Sequence, residues 1–391
     1  MSEFIKKNNV KIKVCKRCIY DERVAGIKFD ENGICNYCHT MDRFKDEYKT
    51  GTPEGNSKLM RIIDQIKRDG KGKKYDVIIG VSGGTDSSYL LVKAIEWGLR
   101  PLAVHYDNTW NTEIANENIR IMIEKLNVDL FTYTVDNYEA DDIFKSFLEA
   151  GVEELDASSD LALVETMYRA CEKYNVKYLM EGHSFLTEGI APISNMYFDG
   201  GYIKDIHERY GKVPIKTYPL MTFSRFLYWT LIKRIKRIRP FWYVSYNKED
   251  ARQLLQDEYG WNYYGGHHLE NRITAINHSW LWYRRFNVDL RNLSLAAAVR
   301  EGVLDREKAI QEYFYTEPEM EEGLLDYFKD RMGYSESDLD RLLNLPKKTY
   351  KDFKTYKKRF EALRPLFYVC MKANLVPESF YIKYTSKNGL E

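Results

Sequence analysis

The run YDVIIGVSGGTDSSYLLVKAIEW, residues 75–97, constrains the fold of this chain more than any other feature of the sequence. It begins with a mostly apolar stretch typical of a buried strand, and from Asp86 to Trp97 it has the periodicity of an amphipathic helix. Glycines and hydroxyl residues lie between the two. Glycine lets the backbone approach an anion, and a helix start offers unpaired N–H groups and the positive end of the helix dipole. The run therefore predicts a strand, a phosphate-binding turn and a helix in succession.

The sequence around this run alternates between strand and helix patterns. The predicted strands are 75–81, 102–107, 130–135 and 178–181, and the predicted helices are 59–67, 86–97, 112–126, 141–149 and 161–174. Apolar strands separated by amphipathic helices indicate an α/β fold with a doubly wound parallel sheet, covered by helices on both faces. Ligands bind at the carboxyl ends of the strands in such sheets.

The turn itself, VSGGTDSS, differs from two familiar phosphate-binding loops. It has no lysine of the Walker A type, and it is not a GxGxxG motif. Ser82 and Ser87 could donate hydrogen bonds to phosphate or simply cap the helix. Asp86 would hold magnesium against phosphate oxygens, or it is only an acidic residue favoured by the helix dipole. We expect the nucleotide-binding residues of this turn to be Ser82, Gly83, Gly84, Thr85, Asp86 and Ser87.

Other candidate residues follow two further strands and a later pair of glycines. Asp107 ends one predicted strand, where ribose, adenine or substrate contacts would fall, and Glu181 and His183 end another. The motif GGHHLENR carries residue types suited to general acid and base chemistry, to a metal, to gripping a polar substrate, or to a structural hydrogen-bond network. Its candidates are His267, His268, Glu270 and Arg272.

Four of the six cysteines form two CxxC pairs, CKRC and CNYC. Cys15, Cys18, Cys35 and Cys38 can meet tetrahedrally at one metal ion, and the spacer between the pairs is long enough for a hairpin. We predict a structural zinc ribbon; a redox pair and an iron–sulfur cluster are the alternatives. Cys171 and Cys370 stand alone and are expected to be packing residues.

Composition limits the classes of function. Lysine and arginine number 59 and aspartate and glutamate 58, so no global field favours nucleic acid or a membrane. The N-terminus lacks the apolar run of a signal peptide, and no stretch has the roughly 20 apolar residues of a spanning helix. We expect a cytoplasmic protein, in which reduced cysteines favour metal binding.

The domain organisation follows from these patterns. Residues 49–57 are polar and contain glycine and proline, as in a linker, and 293–375 contain further helix patterns. We predict a ribbon domain at 1–50, an ATP-binding α/β domain at 58–225, and a mainly helical substrate or partner region at 226–391.

Residues 223–244, FSRFLYWTLIKRIKRIRPFWYV, mix basic and aromatic side chains. The segment could be an amphipathic helix on anionic lipid, an anion-binding surface for a nucleotide diphosphate, or a docking face for a partner. A helix with a solvated basic face and a buried apolar face is the plain alternative. Peripheral membrane contact is therefore one expectation.

The SGGxDS arrangement resembles the PP-loop ATP pyrophosphatase superfamily, in which the loop holds the pyrophosphate of ATP while AMP is transferred to a substrate oxygen. Together with the CxxC pairs, HYDNTWNT, EGHSFLTEG and GGHHLENRITA, it resembles the bacterial N-acetyl sugar amidotransferases of surface-polysaccharide and flagellin-glycan pathways. The position of Thr85 varies among PP-loop relatives. The resemblance covers nearly the entire chain.

This resemblance implies conversion of a sugar's acetamido group to an acetamidino group with ATP, Mg²⁺ and ammonia, by a chain that also holds Zn²⁺. The sugar would be free or nucleotide-linked. Separate glutaminase and ammonia-channel subunits, resembling those of histidine biosynthesis, would supply ammonia, and no nucleic acid is expected. Two alternative functions remain. One is a PP-loop adenylating enzyme that thiolates transfer RNA, which is disfavoured because Cys171 is the only cysteine in the catalytic domain. The other is a nucleotide-binding scaffold without activity.

Overall fold

The computed structural model describes residues 3–7, 10–190, 196–266 and 269–387. The N-terminal part contains an antiparallel hairpin of β1 (Glu3–Lys7) and β2 (Val10–Val14), followed by the cysteine-containing loops and helix α1 (Asn36–Tyr48). Cys35 lies at the N-cap of α1, so the second CxxC pair turns from loop into helix.

A five-stranded parallel sheet forms the centre of the molecule, in the order β5-β4-β3-β6-β7. Its strands are β3 (Val77–Gly80), β4 (Pro101–Asp107), β5 (Asp129–Thr134), β6 (Tyr178–Met180) and β7 (Lys236–Ile238). Successive side chains of β3 point to opposite faces, and both faces are buried: Val77 and Ile79 pack in one core and Ile78 in another. The doubly wound parallel sheet predicted from the sequence is confirmed.

Five helices accompany the first strands: α2 (Pro53–Asp69), α3 (Thr85–Glu96), α4 (Glu113–Leu126), α5 (Asn137–Ala150) and α6 (Ala157–Lys173). Helix α2 begins earlier than predicted, because the Thr52 side chain accepts a hydrogen bond from the Gly55 N–H and Pro53 occupies the first turn. The interpretation of 49–57 as a linker is therefore wrong from Pro53 onward.

The chain after β6 is mainly helical, and from residue 226 onward this agrees with the prediction. It contains α7 (Gly200–Tyr210), α8 (Phe223–Leu227), α9 (Lys248–Leu254), α10 (Arg272–Ile276), α11 (Arg291–Arg300), α12 (Arg306–Tyr315), α13 (Leu324–Met332), α14 (Glu336–Asn344), α15 (Lys357–Ala362), α16 (Arg364–Lys372) and α17 (Glu378–Thr385). Helices α8, α9 and α10 continue into π-helical segments at Tyr228–Ile232, Leu255–Tyr259 and Asn277–Phe286. Short 3-10 turns lie at Pro240–Trp242 and Tyr350–Asp352.

The basic and aromatic segment 223–244 is not one amphipathic helix. Its helical part ends before Arg234, which has a φ of 51°, and the chain then enters β7 beside β6. Phe226 is buried against α16 and α17, and the buried Trp229 ring stacks on Tyr168 of α6. The segment thus supplies the edge strand of the sheet, and this strand lies beyond residue 225, the expected end of the α/β domain.

The N-terminal ribbon packs on α11 and α12. Ile19 and Tyr20 share a buried cluster with Ala296, Ile310 and Phe314. Within the ranges that the structure describes, no helix has the length and apolar character needed to cross a membrane.

Candidate active site and metal centre

The turn between β3 and α3 can only be built with glycine at Gly83. This residue has a φ of 80°, and a Cβ there would lie 2.2 Å from the Ala115 carbonyl oxygen of α4. The Gly83 carbonyl accepts hydrogen bonds from Trp261 Nε1 at 3.0 Å and Asn118 Nδ2 at 3.2 Å. Side chains from other parts of the chain therefore hold the backbone of the turn, and its amides keep a fixed direction.

The hydroxyls of the turn hold its inner shape. Ser87 Oγ accepts from the Ser82 N–H at 3.3 Å and donates to the Gly84 carbonyl at 3.2 Å. Ser82 Oγ accepts from the Gly84 N–H at 3.3 Å. Helix α3 starts at Thr85, which is buried, so Gly84 stands at its N-cap without a capping side chain. A helix N-terminus lined by hydroxyls is suited to bind a phosphate.

Both carboxylate oxygens of Asp86, in the first turn of α3, have partners from a distant part of the chain. The Tyr246 hydroxyl donates to Oδ1, and Lys248 Nζ lies 2.7 Å from Oδ2. Burial alone would lower the pKa of Lys248, but the carboxylates of Asp86, Glu188 and Glu270 together hold this pKa above its ordinary value. Lys248 is therefore charged and surrounded by acidic groups.

Glu270 reaches the same turn from the opposite side. Its carboxylate accepts a hydrogen bond from Ser82 Oγ at 3.4 Å, and its Oε1 lies 3.1 Å from the position of a Cβ on Gly84. Backbone pairing after β4 places it there: the Thr112 N–H donates to the Glu270 carbonyl at 3.0 Å, and the Arg272 N–H donates to the Trp110 carbonyl at 2.9 Å.

The other candidates around GGHHLENR are placed differently. His267 and His268 lie outside the described residues. The Arg272 guanidinium stacks over the Tyr327 ring at 4.6 Å, on α13, and so contacts the helical region. Asp107 accepts from the Thr109 N–H at 2.8 Å, a hydrogen bond that shapes the turn after β4. The structure therefore brings Glu270 to the glycine-rich turn. It places Arg272 against α13 and Asp107 in the turn that follows β4.

Glu181 and His183, after β6, belong to a second polar cluster. Arg237 donates to Glu181 Oε1 at 2.8 Å and Arg239 to Oε2 at 3.0 Å. Burial would raise the pKa of Glu181, but the two guanidinium groups lower it to about 2. Burial lowers the pKa of His183, and Trp242 Nε1 donates to its Nδ1 at 3.2 Å. Glu181 is therefore ionised and neutralised by arginine, and His183 is uncharged at neutral pH.

The four cysteines of the two CxxC pairs form one buried cluster. Their sulfur atoms all lie within 4.8 Å of one another. Backbone N–H groups of Arg17, Tyr20 and Cys35 point to sulfur atoms at 3.2 to 3.4 Å. Four converging thiolates with N–H support fit a tetrahedral metal ion that prefers soft ligands, as zinc and iron do.

Arginines from α11 and α12 close this metal centre. Arg300 is buried and donates to Cys38 Sγ at 3.4 Å and to Cys18 Sγ at 3.2 Å. Arg306 donates to the Cys15 and Cys18 carbonyls at 2.7 and 3.1 Å. A divalent ion with four thiolates carries a net negative charge, so a buried guanidinium beside the sulfur atoms offsets that charge.

Residues 270–365 match the family model for the C-terminal domain of WbpG-like LPS biosynthesis proteins. The chain carries a WbpG-like C-terminal domain. Over these residues, the match supports the family that the sequence motifs suggested. No curated protein matches the sequence.

Solved structures show only a distant likeness. The tRNA thiolase NcsA of Methanococcus maripaludis is 14% identical, with a TM-score of 0.31 over 79% of this chain and 90% of that one. The NH3-dependent NAD synthetase of Campylobacter jejuni is 13% identical, with a TM-score of 0.28 over 75% of this chain and 98% of that one. These scores are too low to support a functional inference.

The WbpG-like domain begins at Glu270, beside the glycine-rich turn, and also contains Arg300 and Arg306 at the metal centre. Sequence reasoning identified Glu270 but missed Lys248, Tyr246 and both arginines. A lysine within SYNKED has no local signature, since its contact with Asp86 joins residues 162 positions apart. Only the spatial arrangement reveals it.

Proposed function

We propose that this chain is an ATP-dependent amidotransferase that converts an acetamido group of an N-acetyl sugar to an acetamidino group. The main support is the glycine-rich turn at the carboxyl end of β3, whose backbone can receive a phosphate chain, in one chain with a WbpG-like domain. The name of that family refers to LPS biosynthesis, which is where acetamido sugars are expected as substrates.

The chemistry follows from the inertness of amides. The acetamido oxygen attacks the α-phosphorus of ATP, the bond from that phosphorus to the bridging oxygen breaks, and pyrophosphate leaves with the electron pair. Ammonia then adds to the activated carbon, and AMP leaves. Fixed hydrogen-bond donors aimed at the phosphates lower the barrier of the first step.

Residues of the turn have defined tasks in this proposal. The amides of Gly83 and Gly84 and the hydroxyls of Ser82 and Ser87 would hold the phosphates. The Gly84 N–H donates to Ser82 Oγ, Ser82 Oγ to Glu270 and Ser87 Oγ to the Gly84 carbonyl, so these hydrogen bonds would be exchanged for bonds to phosphate. Magnesium between Asp86 and phosphate oxygens would offset charge on the departing pyrophosphate. Each Asp86 oxygen already accepts from one partner, Tyr246 or Lys248, and keeps a second lone pair with which it would hold the metal.

Ammonia would come from separate glutaminase and ammonia-channel subunits. None of the six cysteines suits a glutaminase nucleophile: four form the metal cluster, and Cys171 and Cys370 are buried on helices where burial raises the pKa of each thiol. The burial of Cys171 also argues against sulfur transfer to RNA. The proposal predicts that ammonium salts support the reaction of the single chain and that glutamine does not.

Mass analysis of reaction products tests the proposal directly. The purified chain is incubated with ATP, magnesium, ammonium and a panel of free and nucleotide-linked acetamido sugars, with Asp86→Asn as the inactive control. Formation of AMP with a sugar that has gained nitrogen in place of oxygen is the expected result. AMP formation that depends on transfer RNA instead of a sugar, or glutamine hydrolysis by the chain alone, would overturn it.

A further inference from the structure

We propose that Lys248 binds the β- and γ-phosphates of ATP and neutralises the pyrophosphate as it leaves. This inference rests on the proposed function, and it assigns the cation that the glycine-rich turn lacks. The turn from Ser82 to Ser88 contains no lysine or arginine. A phosphate chain bound there would need a positive side chain from elsewhere in the fold.

The position of Lys248 meets that need. Its Nζ lies 2.7 Å from Oδ2 of Asp86, in the first turn of the helix whose N-terminus forms the phosphate-binding turn. Its side chain is 21% exposed, so it is not sealed off from solvent. A phosphate chain that enters over Gly84 therefore comes within reach of the flexible lysine stem.

The backbone that presents Lys248 is firmly held. The preceding Tyr246 is buried, and its ring stacks on Phe241 with centroids 4.3 Å apart. Asn247 caps α9 by accepting from the N–H groups of Glu249 at 2.9 Å and Asp250 at 3.3 Å. The main chain is thus fixed while the lysine side chain can still change its rotamer. This arrangement would let the ammonium move between Asp86 and a phosphate oxygen.

The local charge explains why the ammonium would change partner. Asp86, Glu188 and Glu270 act on Lys248 together, so three carboxylates face one cation. Such a site repels a bare polyphosphate. A divalent cation held by Asp86 would weaken the attraction between this carboxylate and the ammonium, and Lys248 would then donate charge-assisted hydrogen bonds to phosphate oxygens.

The role of Lys248 in the reaction requires no proton transfer. The substrate oxygen bonds to the α-phosphorus, and the bond between that phosphorus and the bridging oxygen breaks with its electrons on the pyrophosphate. The ammonium donates hydrogen bonds to the oxygens on which negative charge increases. Lys248 would therefore stabilise the departing pyrophosphate and would not contact the AMP half of the nucleotide.

Calorimetric titration of the full chain measures separately how it binds the pyrophosphate half and the AMP half of ATP. Magnesium pyrophosphate and AMP are titrated separately into wild type, Lys248→Met and Lys93→Met; Lys93 is a control lysine near the C-terminal end of α3, the helix that begins beside Asp86. We expect Lys248→Met to bind pyrophosphate about 10- to 100-fold more weakly while AMP affinity changes less than about twofold, because charge-assisted hydrogen bonds to phosphate are lost. Lys93→Met should match wild type for both ligands.

Each other outcome has a clear meaning. Unchanged pyrophosphate affinity in Lys248→Met would refute the role of Lys248 while leaving the proposed function intact. A wild-type chain that binds neither AMP nor pyrophosphate would instead overturn the proposed function and this inference with it. If Lys248→Met fails to fold because the carboxylates repel one another, the double variant Lys248→Met, Glu188→Gln relieves that repulsion and should show the same selective loss.

Discussion

The metal centre and the glycine-rich turn are assembled in opposite ways. All four sulfur ligands of the metal centre come from residues 15–38, and their spacing alone predicts the cluster. The turn takes its essential partners from far along the chain: Tyr246 and Lys248 contact Asp86, and Glu270 contacts Ser82. A local motif therefore predicts almost all residues of a metal site. For a phosphate site it predicts only the turn itself, and not the side chains that contact the turn from elsewhere in the chain.

The WbpG-like domain reduces this contrast, because it contributes to both places. Its first residue, Glu270, lies against the turn, and its Arg300 lies against two of the cysteine sulfurs. The ribbon and the turn are thus completed by one helical region. We nevertheless expect that a substitution at one site leaves the other site intact.

The largest effect should follow from removing a cysteine ligand. Cys18→Ser should reduce bound metal from about one ion per chain to less than about 0.1, because a structural site supplies about 10 kcal/mol or more of folding free energy only when all ligands are present. The ribbon should then detach from α11 and α12. Elemental analysis and limited proteolysis check both effects.

Cys370→Ala is the matched control for that experiment, since it removes a buried thiol outside the cluster. It should retain the metal. Full metal content in Cys18→Ser would show that the four sulfurs do not act as one site.

The second effect concerns the turn. Asp86→Asn should lower pyrophosphate release by about 100-fold or more, because it removes the carboxylate expected to hold magnesium near the phosphates. Bound metal at the cysteines should be unchanged. A coupled assay of pyrophosphate measures the rate, with Glu96→Gln at the exposed end of α3 as control. Equal rates in Asp86→Asn and wild type would contradict the role of Asp86.

The fold shows where sequence reasoning succeeds. Apolar runs predicted β3, β4 and β6 to within a residue or two, since buried parallel strands leave a local signal. The bounds of β5 were predicted equally well, although this edge strand is largely exposed. Strand β7 was missed because its sequence, Lys-Arg-Ile, is short and basic. The charge of Arg237 is accommodated by Glu181 on the neighbouring strand's end, and that compensation exists only in the folded chain.

The site shows the same division. Ser82, Gly83, Gly84 and Ser87 form the turn that the motif predicts, because strand, turn and helix are contiguous in sequence. The partners of Asp86 could not be predicted, since each contact is tertiary and neither Tyr246 nor Lys248 lies in a motif. The roles of Arg272, His183 and Asp107 stay predictions.

A third, smaller effect tests the link between the ribbon and the WbpG-like domain. Arg300→Met should weaken metal binding by about 10- to 100-fold, as is typical when a hydrogen-bonded neighbour of metal ligands is lost. Competition with a chromogenic chelator measures the affinity, and the exposed Arg284→Met serves as control. Nucleotide binding should not change. If Arg300→Met retains metal as tightly as wild type, the guanidinium only docks the ribbon.

The smallest effect is expected at the strand-end cluster around Glu181. Arg237 and Arg239 lower the pKa of this carboxyl to about 2, below the ordinary value of about 4.3. A carboxyl with a lowered pKa in the folded state stabilises the fold fully above its ordinary pKa, and this contribution decreases as the pH falls toward the folded-state pKa. Glu181→Gln should therefore cost about 1.5 kcal/mol of unfolding free energy at pH 7, the lower end of the range for hydrogen bonds to a charged group.

That cost should be constant from pH 7 to about pH 5 and shrink from about pH 4 downward, because protonation of Glu181 in the unfolded chain removes the advantage of the wild type. Urea unfolding of both proteins at pH 7, 5 and 3 measures the difference, with the exposed Glu124→Gln as control. A difference that stays the same at pH 3 would mean that the carboxylate acts through packing and not through its charge. In that case the cluster would be a structural support of β7, with no electrostatic part in holding Arg237 and Arg239 against Glu181.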